Sequence, residues 1–232
     1  MIDAKKIKNF WDSRADVFGK VAFESIANLE QDPNNLEVKI RLETNKVLAW
    51  LPDLQHKTIL DLGAGVGQWA LRFSLLGASN ITAVEYSLGL VEIGRKEAAR
   101  RAIQNIEFVV SAAEDFKSDL QYDVIFISGL FVYLTDQQAV RLLSNLSNCT
   151  KKSSSVLLRD GVGRFVRHEI NDRYSDHLQS HYSATYRTAE QYQKMFEEAG
   201  FQCLRDEDMF PEGHSLNKYP ETRLRLFSFG RT

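Results

Sequence analysis

The run Asp61-Leu62-Gly63-Ala64-Gly65-Val66-Gly67 follows directly on the apolar Thr58-Ile59-Leu60 and leads into the helical pattern of residues 68–76. Alternate glycines at a strand-to-helix turn permit backbone angles closed to other residues. They also let a ligand approach main-chain N–H groups at a helix N-terminus. A nucleotide-like molecule is the expected occupant, and two cofactor chemistries compete for it. Gly65-Val66-Gly67-Gln68-Trp69-Ala70 satisfies the dinucleotide pattern G-x-G-x-x-G/A, and Glu85 stands 20 residues after Gly65, where an acid would take ribose hydroxyls. A P-loop is excluded, because no Gly-Lys-Ser/Thr closes the turn. Asp61 tilts the choice: a carboxylate at the strand's tip repels a pyrophosphate but favours the cationic amino group of a methionine moiety, directly or through water. The bland alternatives are a helix N-terminal acid for Asp61 and a solvated strand-end charge for Glu85.

The stretch Ile59-Leu60-Asp61-Leu62-Gly63-Ala64-Gly65-Val66-Gly67 resembles motif I of the class I S-adenosylmethionine-dependent methyltransferases. The likeness runs on through Glu85, Ala112-Ala113-Glu114 and residues 122–134, over most of residues 58–230. It implies that Gly63, Gly65 and Gly67 line the methionine portion of S-adenosylmethionine, that Glu85 accepts from the ribose hydroxyls, and that Tyr86 flanks the adenine. A carboxylate suits two hydroxyl donors because it carries several lone pairs. Ala113, Glu114 and Ser128 complete the implied cofactor wall. Many family members place an aspartate after the third strand for the adenine amino group; Ala112 stands there in this chain, leaving Glu114 or a backbone carbonyl to substitute.

Ligands of open α/β sheets sit beyond the carboxyl ends of the strands, so residues 128–135 and 160–186 are the expected walls around the transferable methyl group. Tyr133 stands near the position where many small-molecule members of the family carry a functional histidine. Its hydroxyl could orient a nucleophile, although a phenol with a pKa of about 10 is a poor base. Asp160, His168 and His181 are candidate proton acceptors if the methyl acceptor is a hydroxyl; a neutral amine needs none during the attack. From Arg159 to Arg187 arginines alternate with aromatics and histidines, which suits a lid over residues 160–187 that clamps a phosphate or carboxylate. A solvated helical insertion, its charge offset by Asp160, Glu169, Asp172 and Asp176, is the alternative. His177 and His181 could share a helix face, but they lack a third ligand and no metal is expected. The run from His181 to Arg187 is similar to the corresponding stretch of phosphoethanolamine-type methyltransferases, which implies Tyr182, Tyr186 and Arg187 as substrate contacts; Arg159, from the arginine-rich run, is the fourth candidate. Phe10-Trp11-Asp12-Ser13-Arg14-Ala15 resembles segments that fold over the cofactor in related enzymes, so Trp11 and Arg14 would help exclude water. An ordinary packing helix is the competing reading of that segment.

Such residues need a scaffold that gathers strand ends. After residue 57, short β-rich runs alternate with helical patterns, as in a Rossmann-like, mostly parallel α/β sheet with helices on both faces. Strands are predicted at 58–62, 81–85, 106–110, 123–128 and 155–159. An antiparallel pair at 201–204 and 223–229 brings the sheet to seven strands, with an antiparallel C-terminal strand. Helices are predicted at 7–18, 36–51 and 68–76. Two more should start at Thr135 and Thr188, each followed three residues later by the glutamine of a capping box. In the second, Tyr192, Met195, Phe196 and Ala199 form one apolar stripe that Gly200 ends. Residues 1–57 then read as an N-terminal helical cap and residues 58–232 as one methyltransferase domain.

A formal net charge of -2 lacks the broad positive field of a nucleic-acid binder. Met1–Lys8 has no signal-peptide core, and no run approaches the length of a membrane span, so a cytoplasmic protein without a membrane partner is expected. Cys149 and Cys203 stand outside any paired motif. The favoured function is S-adenosylmethionine-dependent methylation of N or O in a small molecule, with an anionic one suggested by the arginines. An RNA or protein methyltransferase, an NAD-dependent oxidoreductase and a cofactor-binding regulatory protein are the competing readings.

Overall fold

The computed structural model describes residues 2–30, 32–175 and 180–232. Its apolar runs become β1 (Thr58–Leu62), β2 (Asn80–Glu85), β3 (Ile106–Val110), β4 (Tyr122–Ser128) and β5 (Thr150–Gly163). A separate two-stranded hairpin, β6 (His168–Ser175) and β7 (Ser180–Tyr186), precedes β8 (Phe201–Asp208) and β9 (Thr222–Arg231). The main sheet has seven strands in the order β3-β2-β1-β4-β5-β9-β8. β1 to β5 pair in parallel, and β9 lies antiparallel to both β5 and β8. The last strand of the chain thus slots between two earlier ones and alone opposes the sheet direction.

The helices are α1 (Ala4–Ser13), α2 (Phe23–Ile26), α3 (Pro33–Trp50), α4 (Gln68–Leu75), α5 (Leu88–Arg100), α6 (Asp136–Leu146) and α7 (Ala189–Glu198). Parallel strands are covered on both faces, so successive residues alternate between two cores. Ile59 packs with Val47 of α3, Phe73 of α4 and Val91 of α5. Its neighbour Leu60 packs on the other side with Leu142 of α6 and Phe196 of α7. Phe196 stacks on Phe229 at 3.9 Å, so the stripe on α7 serves the core as its spacing suggested. Burying one such ring stabilises the fold by roughly 1.5–3 kcal/mol.

Both capping boxes form: Thr135 and Thr188 accept from Gln138 and Gln191, whose side chains return the bond. The first helix is shorter than predicted and ends in a 3-10 turn over Arg14–Val17. α3 starts earlier than predicted because the Asp32 side chain caps Asn35 and Pro33 opens the first turn. β5 is much longer than its apolar centre, since its polar start pairs with Tyr122 and its end with Thr222.

Register aligns the strand tips. Leu62 pairs with Val84 on one side and Ile127 on the other, and Ser128 pairs with Arg159. The residues that follow, or stand at, these positions form a row across β2, β1, β4 and β5.

Candidate active site

At the tip of β1, Gly63, Gly65 and Gly67 all adopt positive φ, at 72°, 57° and 76°. The N–H groups of Gly63 and Ala64 donate to the Val84 carbonyl, which fastens the turn to β2. Glu85 completes the attachment: one carboxylate oxygen accepts from the Gly65 N–H at 3.0 Å and the other from the Ser87 N–H at 2.9 Å. Burial raises the Glu85 pKa against the pull of these bonds. A Cβ on Gly65 would stand 2.8 Å from the Ala27 Cβ, so the turn also fits closely under the N-terminal segment. Asp61 is buried, its Oδ2 has no partner among the described residues, and desolvation pushes its pKa up to about 7.

These tips floor a cavity of about 450 Å³. Of the residues expected at the cofactor, Asp61, Gly63, Gly65, Glu85, Tyr86, Ala113, Glu114 and Ser128 line it. Gly67 does not; it is the N-cap of α4, where a Cβ would meet the Phe108 ring at 2.7 Å. The Glu114 carboxylate accepts from Gln138 at 2.6 Å, tying the β3 loop to α6. Tyr86 donates to the Ile7 carbonyl at 3.2 Å with Lys8 over its ring, so α1 roofs this end. Burial raises the pKa of the Tyr86 phenol.

The other end of the cavity is aromatic. The hydroxyls of Tyr133, Tyr182 and Tyr186 form a chain, 3.3 Å from the first to the second and 3.1 Å from the second to the third. Trp11 of α1 meets Tyr133 edge to face at 5.2 Å, and Phe10 meets Tyr182 at 6.0 Å. Tyr186 lies against Gly161, where an added Cβ would stand 2.7 Å from its ring. Desolvation raises the pKa of all three phenols, so they donate or accept hydrogen bonds rather than ionise.

Asp160 lines the same end, but its oxygens are engaged. Oδ2 accepts from the N–H groups of Leu130 and Phe131 at 3.1 and 2.6 Å, and Oδ1 from Gly161 at 2.7 Å. Burial pushes its pKa up to about 6. Its carboxylate therefore shapes the loop after β4. Arg159 also faces the cavity, donating to Ser128 at 3.0 Å and to the Glu43 carboxylate of α3.

Besides Gly67, four expected site residues stand elsewhere. Arg187 is 1% exposed beneath the floor, donating to the carbonyls of Phe131 and Leu134 and to Asp136. Arg14 donates to the carbonyls of Ser25 and Ile26 and so ties the N-terminal segment together. His168 sits on β6 with its ring 6.1 Å from that of Tyr186, outside the cavity lining. His181 lies on a strand, not a helix, and its Nδ1 is 3.1 Å from the Asp172 carboxylate on the outer side of the hairpin. His177 and Asp176 lie outside the described residues. The helical reading of the insertion is corrected to a hairpin, and two of its arginines are engaged away from the cavity: Arg164 with Glu212, Arg167 with Asp136 and Glu169. The cations that do line the cavity are Lys8, Lys39, Arg72 and Arg159. Lys39 and Arg72 carry no motif and look like ordinary helix-surface charges in the sequence.

Comparison with known proteins agrees with this geometry. Residues 59–153 match the family described as a methyltransferase domain. The chain is 25% identical over 205 residues to phosphoethanolamine N-methyltransferase 3 of Arabidopsis thaliana, covering 87% of this chain and 37% of that protein. It is 28% identical over 130 residues to the ribosomal protein L11 methyltransferase of Shewanella baltica, covering 55% of this chain and 42% of that one. It thus spans less than half the length of either relative. The fold matches the solved structure of Burkholderia thailandensis 1,6-didemethyltoxoflavin-N1-methyltransferase with bound 1,6-didemethyltoxoflavin and S-adenosylhomocysteine. There the TM-score is 0.68 at 13% identity, over 99% of this chain and 88% of that one. The strand order and the glycine turn agree with that match: residues 59–153 carry the methyltransferase domain, and over most of its length the chain is similar to S-adenosylmethionine-dependent methyltransferases.

Proposed function

We propose that the chain transfers a methyl group from S-adenosylmethionine to a small molecule, most naturally to a nitrogen. The observation that carries this reading is the buried, unpartnered Oδ2 of Asp61 beside the glycine turn, one strand from Glu85. A buried carboxylate oxygen without a donor is costly, and the cationic amino group of a methionine moiety would satisfy it. The close packing at Gly65 and the lone pairs left on Glu85 fit the rest of an adenosyl donor.

When bound, S-adenosylmethionine supplies a sulfonium whose methyl is already activated, so the protein's task is alignment and desolvation. Asp61 and Glu85 hold the donor's two ends across neighbouring strand tips. α1 and the β6–β7 hairpin act as cap and lid, bringing Trp11 and Tyr182 over the tips and excluding water. Tyr133 orients the acceptor through its hydroxyl, backed by Tyr182 and Tyr186. Asp160 positions the Leu130–Phe131 backbone rather than moving a proton. The histidines among the described residues lie off the cavity lining, which supports an amine acceptor, since a neutral amine attacks without a base. The phosphoethanolamine N-methyltransferase similarity points the same way.

The test is incubation with methyl-labelled S-adenosylmethionine, separately with phosphoethanolamine, with the small-molecule fraction of a cell extract, and with its protein and RNA fractions. Label in small amines is expected. The Shewanella baltica similarity makes a protein acceptor the second reading, and label confined to acid-precipitable material would favour it.

A further inference from the structure

The end of the cavity under α3 differs from the aromatic end: it is lined by cations that have little to bind. Lys39 donates to a neutral partner, the Asn28 side-chain oxygen at 2.9 Å. Arg72 lies over the Trp69 ring at 4.9 Å and lines the same wall of the cavity. Arg159 is 9% exposed, and although its terminal nitrogens reach Ser128 and Glu43, its Nε has no partner among the described residues. The Thr44 hydroxyl on the same wall is likewise buried without one.

We propose that Lys39 of α3 and Arg72 of α4, with Arg159 behind them, form an anion subsite that takes a carboxylate or a phosphate. Charged groups withdrawn from water need an opposite charge and hydrogen-bond acceptors. The one carboxylate paired within this group is Glu43, and it is committed to Arg159. Desolvation lowers the pKa of both Lys39 and Arg72; Glu43 and Arg159 act on both, while Glu24 acts on Arg72 and Glu30 on Lys39. The subsite faces the tips of β1, β4 and β5, while Glu85 marks the tip of β2. Three inter-strand spacings of ~4.8 Å put Arg159 about 14 Å from the ribose anchor. An anion there belongs either to the amino-acid end of the donor or to the methyl acceptor.

The proposal rests on the methyltransferase reading for the source of that anion, but not for the subsite itself. Calorimetric titrations of the wild type, Lys39→Met and Arg72→Gln use S-adenosylhomocysteine, 5′-methylthioadenosine, which lacks the amino acid, and phosphoethanolamine added to the adenosyl-loaded protein. If the donor supplies the anion, each variant binds S-adenosylhomocysteine about 10- to 100-fold more weakly and methylthioadenosine as the wild type does, the loss expected of one charged hydrogen bond. If the acceptor supplies it, both adenosyl compounds bind normally and phosphoethanolamine binding falls by that factor. Lys39→Arg restores binding in either case, and empty Lys39→Met melts no lower than the wild type. Unchanged binding of all three ligands, or equal loss of both adenosyl compounds, overturns the proposal. Should the wild type bind neither adenosyl compound, the methyltransferase reading fails by itself. Inorganic phosphate then decides the subsite: binding lost in the variants supports it, and no binding overturns it.

Discussion

Glu85 holds the Gly65 N–H at 3.0 Å, so the acid expected to grip a ribose also shapes the turn that cradles the rest of the donor. The two jobs are compatible because a carboxylate has more acceptor sites than the Gly65 and Ser87 N–H groups fill. Glu85→Gln puts an amide NH₂ where one of those N–H groups points. S-adenosylhomocysteine binding should fall at least about 10-fold, the weight of one charge-assisted bond. Titration calorimetry checks this, and wild-type affinity would show that neither job matters.

Asp61 gives a pH signature. Its pKa is raised to about 7 in the folded, empty protein, against about 3.9 unfolded. The stability it contributes is full below the unfolded value and is lost as pH rises through the folded one. An ammonium-bearing ligand favours the ionised form, so binding near pH 6 should release a proton and tighten as pH approaches 7. Affinity should fall again above about 8 as the ligand's α-amino group loses its charge. Calorimetry in buffers of different ionisation enthalpy measures the proton count. Asp61→Asn should bind more weakly at neutral pH and abolish the rise.

Gly65→Ala combines a positive φ with a Cβ 2.8 Å from that of Ala27. The αL strain is roughly 1–2 kcal/mol before any clash. The N-terminal segment should lift from the turn, exposing bonds around residue 27 to faster proteolysis and weakening S-adenosylhomocysteine binding at least about 10-fold. Limited proteolysis and calorimetry read the two effects, and a variant indistinguishable from wild type would show that the segment does not seal the site.

Asp160 and Tyr133 should separate by phenotype. Asp160→Asn turns an acceptor of three backbone N–H bonds into one with a misplaced NH₂, and should destabilise by about 2 kcal/mol, visible in urea unfolding. Tyr133→Phe removes a hydroxyl at the aromatic end; it should leave stability within about 1 kcal/mol and lower kcat. A stable Asp160→Asn with a flattened pH–rate profile would instead make that acid the base.

β1, β2 and β4 were legible because each is buried on both sides and so reads as a nearly continuous apolar run; β1 and the half-exposed edge strand β3 have the predicted bounds. The two capping boxes were legible because their chemistry is local. Asp32-Pro33 carried an equally local start signal for α3 that apolar spacing alone passed over. Tyr182, Ala184 and Tyr186 alternate as strand residues do, yet the charged setting of the insertion masked that period of two. The polar Lys151–Ser154 start of β5 lies in the irregularity between the Tyr122–Thr150 and Val124–Ser155 pairs and is fastened there by the Ser154 hydroxyl, which donates to the Tyr122 carbonyl at 2.6 Å, a long-range bond that no local pattern records. Charge was the least legible feature. Arg187 sits beneath the floor, while Lys39 and Arg72, indistinguishable from solvated helix residues, are turned inward when α3 and α4 pack over the strand tips.

The central claim, that the glycine turn holds an adenosyl donor through Asp61 and Glu85, is tested most directly by titrating the protein with S-adenosylhomocysteine and, separately, with NAD. Saturable 1:1 binding of S-adenosylhomocysteine, lost in the Asp61→Asn, Glu85→Gln double variant, with none of NAD, is the predicted result. Binding of NAD in preference to S-adenosylhomocysteine, or of neither, would contradict it.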